Sequence, residues 1–348
     1  MEDNYISKKK PAYKVTEEFH RYLVRYERDF EISISYDDLL RFSGGIEIYD
    51  KDDNDTLWLS VYYNEFERLE IDKSLKHIYS FLHYDGNDDI SKNLIVESID
   101  FCTFGNSKPF RIKIKNILNH NYIYFYVKQA DSSRIYGLEL EELLSPNNIH
   151  FIVHKETLIE EHIIGIPGDI YITERLQKAP DSSKNQIAKE FVKFNERCFI
   201  RLLGDMRSYN YVFVLSHDFD RIQYRLRAID FDQQSFEGAV NIYKPQFFKE
   251  NFSLVKMVSK ILPKESIEQY VIEERSAIAR RALSEDERLQ ELLHCMQNDT
   301  ISFPEKVVQL KNDLFKLTKD VNFKYSNNMG DILKSSIDFV IRNYKSEK

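Results

Sequence analysis

LLGDMRSYNYVFVLSHDFDRIQYRLRAIDFDQ, Leu202 to Gln233, is the stretch whose reading decides the fold. It sets Asp205 five positions before Asn210 in a loop and follows with the apolar run Tyr211 to Leu215. After a polar turn it closes on Leu226 to Phe231, a second apolar run ending at an acid. Read physically, this is a two-stranded unit that presents Asp205, Asn210 and Asp230 near one end. Three oxygen-bearing side chains converging at strand ends suit a hard cation and the phosphates it carries. Asp205 is then placed to accept a proton from an attacking hydroxyl, with Asn210 and Asp230 holding metal. The plain alternative is that Asx residues gather in turns because they hydrogen-bond their own backbone, and that an Asp-x-x-x-x-Asn spacing arises by chance.

Upstream, Leu94 to Phe104, Phe110 to Leu118 and Tyr122 to Ala130 read as three successive strands. Alternation in the third puts Tyr122, Tyr124, Tyr126 and Lys128 on one face and Ile123, Phe125 and Val127 on the other. Lys128, at the end of such a strand, reads either as a charge for phosphates or as an edge charge that discourages sheet aggregation. Ser132 or Ser133 then caps a helix carrying Glu139, Glu141 and Glu142, in which Ile135, Leu138 and Glu142 share a face. Glu142 is the expected partner of Lys128, Glu139 its rival one turn away, and solvated helix acids the ordinary reading of both. Ile149 to Val153 and Leu158 to Ile163 are two further strand candidates, followed by the turn-forming Gly165-Ile-Pro-Gly168.

The N-terminal region carries its own elements. Residues 1 to 14, with Lys8 to Lys10, read as a solvated lead-in. Thr16 caps an amphipathic helix along which Phe19, Tyr22, Leu23, Tyr26 and Phe30 form one apolar face. Ile46 and Ile48, then Leu57, Leu59 and Val61, alternate as a hairpin around an acidic turn. That turn imitates a calcium loop but has Asp55 where glycine is needed and Val61 where a bidentate Glu is needed. A short helix is expected over Ser74 to Leu82, and a domain boundary at Asp85 to Asp89. Residues 183 to 200 read as a helix leading into the opening segment. Beyond Gln233 the pattern is helical: Phe252 to Leu262, Ile267 to Leu283, Glu285 to Met296, Pro304 to Leu317 and Asp331 to Tyr344, with solvated charged faces.

The 348 residues, with 24 Phe and 22 Tyr against 10 Gly, describe a packed globular chain. A net charge of -8 makes nucleic acid an unlikely partner, since binding it depends on basic surface. Three dispersed cysteines, Cys102, Cys198 and Cys295, suggest neither a disulfide framework nor a zinc cluster, and a reducing cytoplasmic setting fits them. The N-terminus lacks the apolar run of a secretory signal, and no eighteen apolar residues run together to span a membrane.

Gly204-Asp205-x-x-x-x-Asn210, a short hairpin and Ile229-Asp230-Phe231 together resemble the catalytic core of the protein-kinase-like superfamily, in the broad sense that includes antibiotic and sugar kinases. The resemblance extends over about residues 95 to 320. It implies an α+β, bilobal kinase-like fold with a mainly antiparallel β N-lobe, a helical C-lobe and an extra N-terminal α/β region. The division it suggests is 1–90 accessory region, 91–170 N-lobe and hinge, 171–348 C-lobe. The cofactors it implies are ATP and Mg2+: Asp205 as catalytic base, Arg207 offsetting phosphate charge, Asn210 and Asp230 as metal ligands. Lys128, held by Glu142, would orient the phosphates, the main chain of Glu161 and Ile163 would read adenine, and Asp169 would reach the ribose. The acceptor, a protein or a small-molecule hydroxyl, stays open.

The sequence departs from the family at Leu203, where the loop usually has His, and at Asp232, where Asp-Phe is usually followed by Gly. No Ala-Pro-Glu follows. The glycine-rich loop would fall at Phe101 to Phe110, which offers only Gly105 and Pro109, and Tyr126 stands where many kinases keep Ala. These departures motivate the alternative of an inactive kinase-like binding module. A metal-dependent nuclease built on Asp205 and Asp230 fits the carboxylates but not the acidic balance.

Overall fold

A computed structural model describes residues 10–84, 88–218 and 221–346. Part of the expected boundary, Asp85 to Asn87, and also Lys8 and Lys9, lie outside the described residues. The chain is α+β and packs as two units. A sheet unit comprises the described residues up to Asp131 together with Ile149–His162. A helical unit comprises Ser132–Asn148 and the described residues from Ile163 onward.

In the sheet unit, α1 (Glu17–Arg25) starts where Thr16 Oγ1 accepts the Phe19 N–H at 3.2 Å, and it buries Phe19, Tyr22 and Leu23. Lys10, read above as solvated, is buried instead: its ammonium pairs with Asp131, whose other oxygen accepts the Tyr13 N–H at 2.9 Å. A single sequence does not show an acid 121 residues away. The short α2 (Tyr36–Leu39) opens on a reciprocal cap between Ser35 and Asp38. The β1 (Gly44–Tyr49) and β2 (Asp55–Tyr62) hairpin turns where Asp50 Oδ1 accepts the N–H groups of Asp52 and Asn54. Next, α3 (Glu65–Tyr84) begins nine residues before the expected helix, because Asn64 Oδ1 accepts the Glu67 N–H at 3.0 Å.

Strands β3 (Leu94–Cys102), β4 (Phe110–Asn116), β5 (Tyr122–Gln129), β6 (Phe151–His154) and β7 (Thr157–Glu161) complete a seven-stranded sheet ordered β1-β2-β3-β4-β5-β7-β6, antiparallel throughout. Period-2 alternation places Ile112, Ile114, Phe125 and Val127 on the face that packs with Leu75, Ile78 and Leu82 of α3. One core therefore runs from Ile32 to Ile159, and the region before residue 90 shares it with the strands that follow.

The helical unit starts with α4 (Ser132–Leu144). After β8 (Ile166–Pro167) and the turn α5 (Gly168–Ile170) comes α6 (Asp181–Arg201), which leads to the hairpin β9 (Tyr211–Asp218) and β10 (Arg221–Ala228). Then follow α7 (Phe252–Ile261), α8 (Lys264–Ser284), α9 (Asp286–Asn298), α10 (Pro304–Thr318) and α11 (Met329–Ser346), close to the expected helices. The charges of this unit's helices are not all solvated, although the sequence reading took the acids of α4 and the charged faces beyond Gln233 to be so: Glu274 of α8 is 6% exposed. Arg197 is 2% and Arg201 1% exposed, Glu139 0% and Glu141 3%. Arg197 pairs with Glu190 and Glu274, Arg201 with Glu141, and Arg288 with Glu139. Burying such groups is tolerable only with partners. Among the described residues, no helix is long and apolar enough to cross a membrane.

Candidate functional site

Where α6 ends, the chain turns sharply. Leu202 adopts a left-handed backbone, φ 54°, and the N–H groups of Leu202 and Leu203 return to the carbonyls of Phe199 and Cys198. Leu203 then bridges Gln234, Gly204 N–H donates to the Gln233 carbonyl at 3.2 Å, and Ser235 N–H donates to the Leu202 carbonyl at 2.8 Å. The loop holding Asp205 and the loop after Asp230 are thus laced side by side. Gly204 is needed for this approach, since a Cβ there would lie 2.7 Å from Ile242 Cγ2 and 3.0 Å from the Gln233 carbonyl oxygen. Asp205 itself has φ 57° and Ser235 φ 50°. Three non-glycine residues, Leu202, Asp205 and Ser235, thus share the left-handed backbone region where the two loops meet.

The hairpin supplies the other donors. Register pairs Tyr211 with Ala228, and Ile229 N–H donates to the Asn210 carbonyl at 3.0 Å, so Asn210 and Asp230 flank the same open end. The Asn210 side-chain amide donates to the Asp205 carbonyl at 2.7 Å, which leaves its oxygen as the amide's acceptor. Asp230 Oδ1 accepts the Asp232 N–H at 3.0 Å. Asp205, Asn210 and Asp230 are therefore brought together by one loop and one hairpin.

Arg207 Nε lies 3.0 Å from Asp205 Oδ1, yet the angle is wrong for a hydrogen bond, and both atoms are buried without one. The contact is Coulombic and misaligned. Arg207 also donates to Tyr209 Oη at 3.1 Å and sits 5.6 Å from the Phe248 ring centre. Burial raises the Asp205 carboxyl; Arg207 opposes that, while Asp230 and Glu250 add repulsion, and the result is a pKa of about 7. Beneath the loop, the fully buried Asn251 donates to the carbonyls of Met206 and Pro245 and accepts from Tyr211 Oη. Glu250 and Asn251 were missed in the sequence because nothing in their spacing points back forty residues.

Asn210 and Asp230 are a donor pair that could hold a hard cation. Among the described residues no three His, Cys, Asp or Glu side chains come close enough to hold a metal by themselves. Mg2+ takes few protein ligands and completes its shell with water and phosphate oxygens. One carboxylate, Asp230, and one amide oxygen, Asn210, beside a buried and incompletely satisfied Asp205 suit that habit.

The remaining expected residues divide between the units. In the sheet unit, Lys128 is 7% exposed and donates to Glu160 Oε2 at 2.7 Å, across the β5–β7 pair. Its carboxylate thus comes from the neighbouring strand, where the sequence reading looked to Glu142 or Glu139. Strand pairing sets Tyr126 opposite Glu160, a register that spacing along the chain does not reveal. Glu161, also in this unit, pairs with Phe125 and uses its N–H and side chain on His150. In the helical unit, Glu139 binds Arg288, Glu142 is half-buried, and Ile163 is 8% exposed. Asp169 Oδ1 accepts its neighbour's N–H at 2.9 Å in the turn before α6.

No protein-family model matches the chain, and a comparison with curated proteins finds no match.

Proposed function

We propose that this chain is an ATP- and Mg2+-dependent phosphotransferase of kinase-like fold, acting on a hydroxyl of a protein or a small molecule. The observation that carries the reading is the convergence of Asp205, Asn210 and Asp230 at the open end of the β9–β10 hairpin, on a loop of strained backbone. The order of elements supports it too: β3, β4, β5, α4, β6, β7, then α6, the Asp205 loop and the hairpin. Asp205 takes the role of base toward the acceptor hydroxyl, and a carboxyl titrating near neutrality suits that work. Arg207, fixed by Tyr209 and Phe248, offsets charge that develops as the phosphoryl group moves. Asn210 and Asp230 would hold Mg2+, whose contribution when bound is to neutralise phosphate oxygens.

ATP turnover, measured with Asp205→Ala and Asp230→Ala variants, tests the reading. Each is expected to lose about 100-fold or more of the rate. Wild-type turnover in both would remove the assignments. An inactive kinase-like module that binds a partner is the second reading. It is favoured by the single glycine between β3 and β4 and by the engagement of Lys128 with Glu160. No thermal stabilisation by ATP with Mg2+, together with no turnover on any acceptor, would select it.

A further inference from the structure

Asp232 stands where the resemblance leads to a glycine, and the structure gives that acid a partner. Its carboxylate pairs with the guanidinium of Arg134, in the first turn of α4, whose side chain is 2% exposed. The backbone N–H of Asp232 in turn donates to Asp230 Oδ1 at 3.0 Å. Arg134 therefore grips the residue whose amide orients the Asp230 carboxylate.

The same helix holds the loop at two more points. Ser133 Oγ donates to the Gln234 carbonyl at 2.6 Å. Gly137 passes so closely that a Cβ there would lie 3.1 Å from Phe231 Cβ and 3.2 Å from Gln234 Cβ. Farther along, α4 is fixed by Glu139 to Arg288 and by Glu141 to Arg201. The loop after Asp230 is thus fastened to a helix that is itself anchored at successive turns.

Stability alone gives little reason for the Arg134–Asp232 pair. Arg134 Nε is buried with no hydrogen-bond partner, and a buried ion pair commonly contributes no more than apolar side chains of the same volume. Orientation of the neighbouring carboxylate does give a reason, because groups behind a metal ligand decide how well it binds. We propose that Arg134 is a positioning residue for the Mg2+ site, fixing through Asp232 the Asp230 carboxylate in the orientation that binds the ion. The inference rests on the reading of Asp230 as a metal ligand.

Mn2+ shares oxygen ligands with Mg2+ and is counted directly by the paramagnetic resonance of the free ion, so binding is measured without turnover. The full chain is titrated with Mn2+ in the presence of ATP, against a protein-free titration that gives the Mn2+ held by ATP alone. Saturable binding in the wild type that disappears in Asp230→Ala upholds the underlying reading. No binding, or binding indifferent to Asp230→Ala, removes that reading and the role of Arg134 with it.

Two further variants address Arg134 itself. Arg134→Lys keeps the charge but not the planar fork. Arg134→Met with Asp232→Asn leaves no charge stranded. Both are expected to weaken the Mn2+ Kd about 10- to 100-fold while circular dichroism shows a folded chain. A wild-type Kd in the folded double variant overturns the proposal and makes the pair structural only. Should the double variant fail to fold, the Kd of Arg134→Lys decides in the same way.

Discussion

Two loops were assigned to nucleotide chemistry by their sequence, and they are built in opposite ways. Between β3 and β4, in the sheet unit, the loop 103–109 is tied at its ends, by Thr103 to the Leu57 carbonyl and by Tyr36 Oη to the Lys108 carbonyl, but its middle is open: a Cβ added at Gly105 would meet nothing within 4 Å. Between α6 and β9, in the helical unit, a Cβ at Gly204 would strike Ile242 and the Gln233 carbonyl. The second loop also sits on buried charge and amide networks around Glu141, Arg201, Arg134 and Asn251. Preorganisation, which a site requires to act on charge without reorganising, is thus concentrated in the helical unit.

If that contrast is real, removing a buried partner behind the second loop has the largest effect. Burial would raise the Glu141 carboxyl, but Arg201 and hydrogen bonds from Asn147 and Ser145 overcome it and hold it at about 2. Arg201→Met strands this charge and is expected to lower stability by about 3–5 kcal/mol at pH 7 in urea unfolding. The double variant with Glu141→Gln should recover most of the loss. A loss below 1 kcal/mol would show that the network does not support the loop. The sign with pH follows from the lowered pKa. The carboxylate contributes stability that is complete above its unfolded value of 4.5 and lost as pH falls toward 2, and Glu141→Gln should remove that acid-side slope.

Asp205 behaves oppositely. Its folded pKa of about 7 lies above the unfolded 3.8, so the unfolded chain releases its proton first. The stability contributed by the protonated form is complete below 3.8 and drains away as pH rises through 7. Asp205→Asn should therefore abolish the proposed turnover and yet be more stable to urea than wild type at pH 8, by on the order of a few kcal/mol. The advantage should shrink toward pH 4. A variant less stable than wild type at pH 8 would mean that the attraction of Arg207 outweighs burial and the repulsion from Asp230 and Glu250.

The same contrast explains what could be read from the chain. Helix limits beyond Gln233 and the β9–β10 hairpin were legible because apolar periodicity and turn chemistry are local. The start of α3 was not, because its cap at Asn64 precedes turns with little apolar repetition. Of the site, the loop and hairpin that gather Asp205, Asn210 and Asp230 were legible from spacing. The partners of Lys128, Glu139 and Lys10 were not: each lies across a strand pair or more than a hundred residues away. Asp232 looked like a defect in a motif until Arg134 came beside it.

The smallest effect separates the loops most cleanly. Gly105 has φ 84°, a left-handed backbone that Asn accepts among the L residues, and open space around it. Gly105→Asn is expected to change stability by no more than about 0.5 kcal/mol. Gly204→Asn forces a side chain into contacts already shorter than 3.1 Å, and should cost about 1–3 kcal/mol as an overpacked site does. Equal losses in a chemical-denaturation series would erase the contrast. A different outcome would reverse it. Were Gly105→Asn to leave stability untouched but abolish ATP turnover, the open space at Gly105 would be what lets bare backbone approach phosphate.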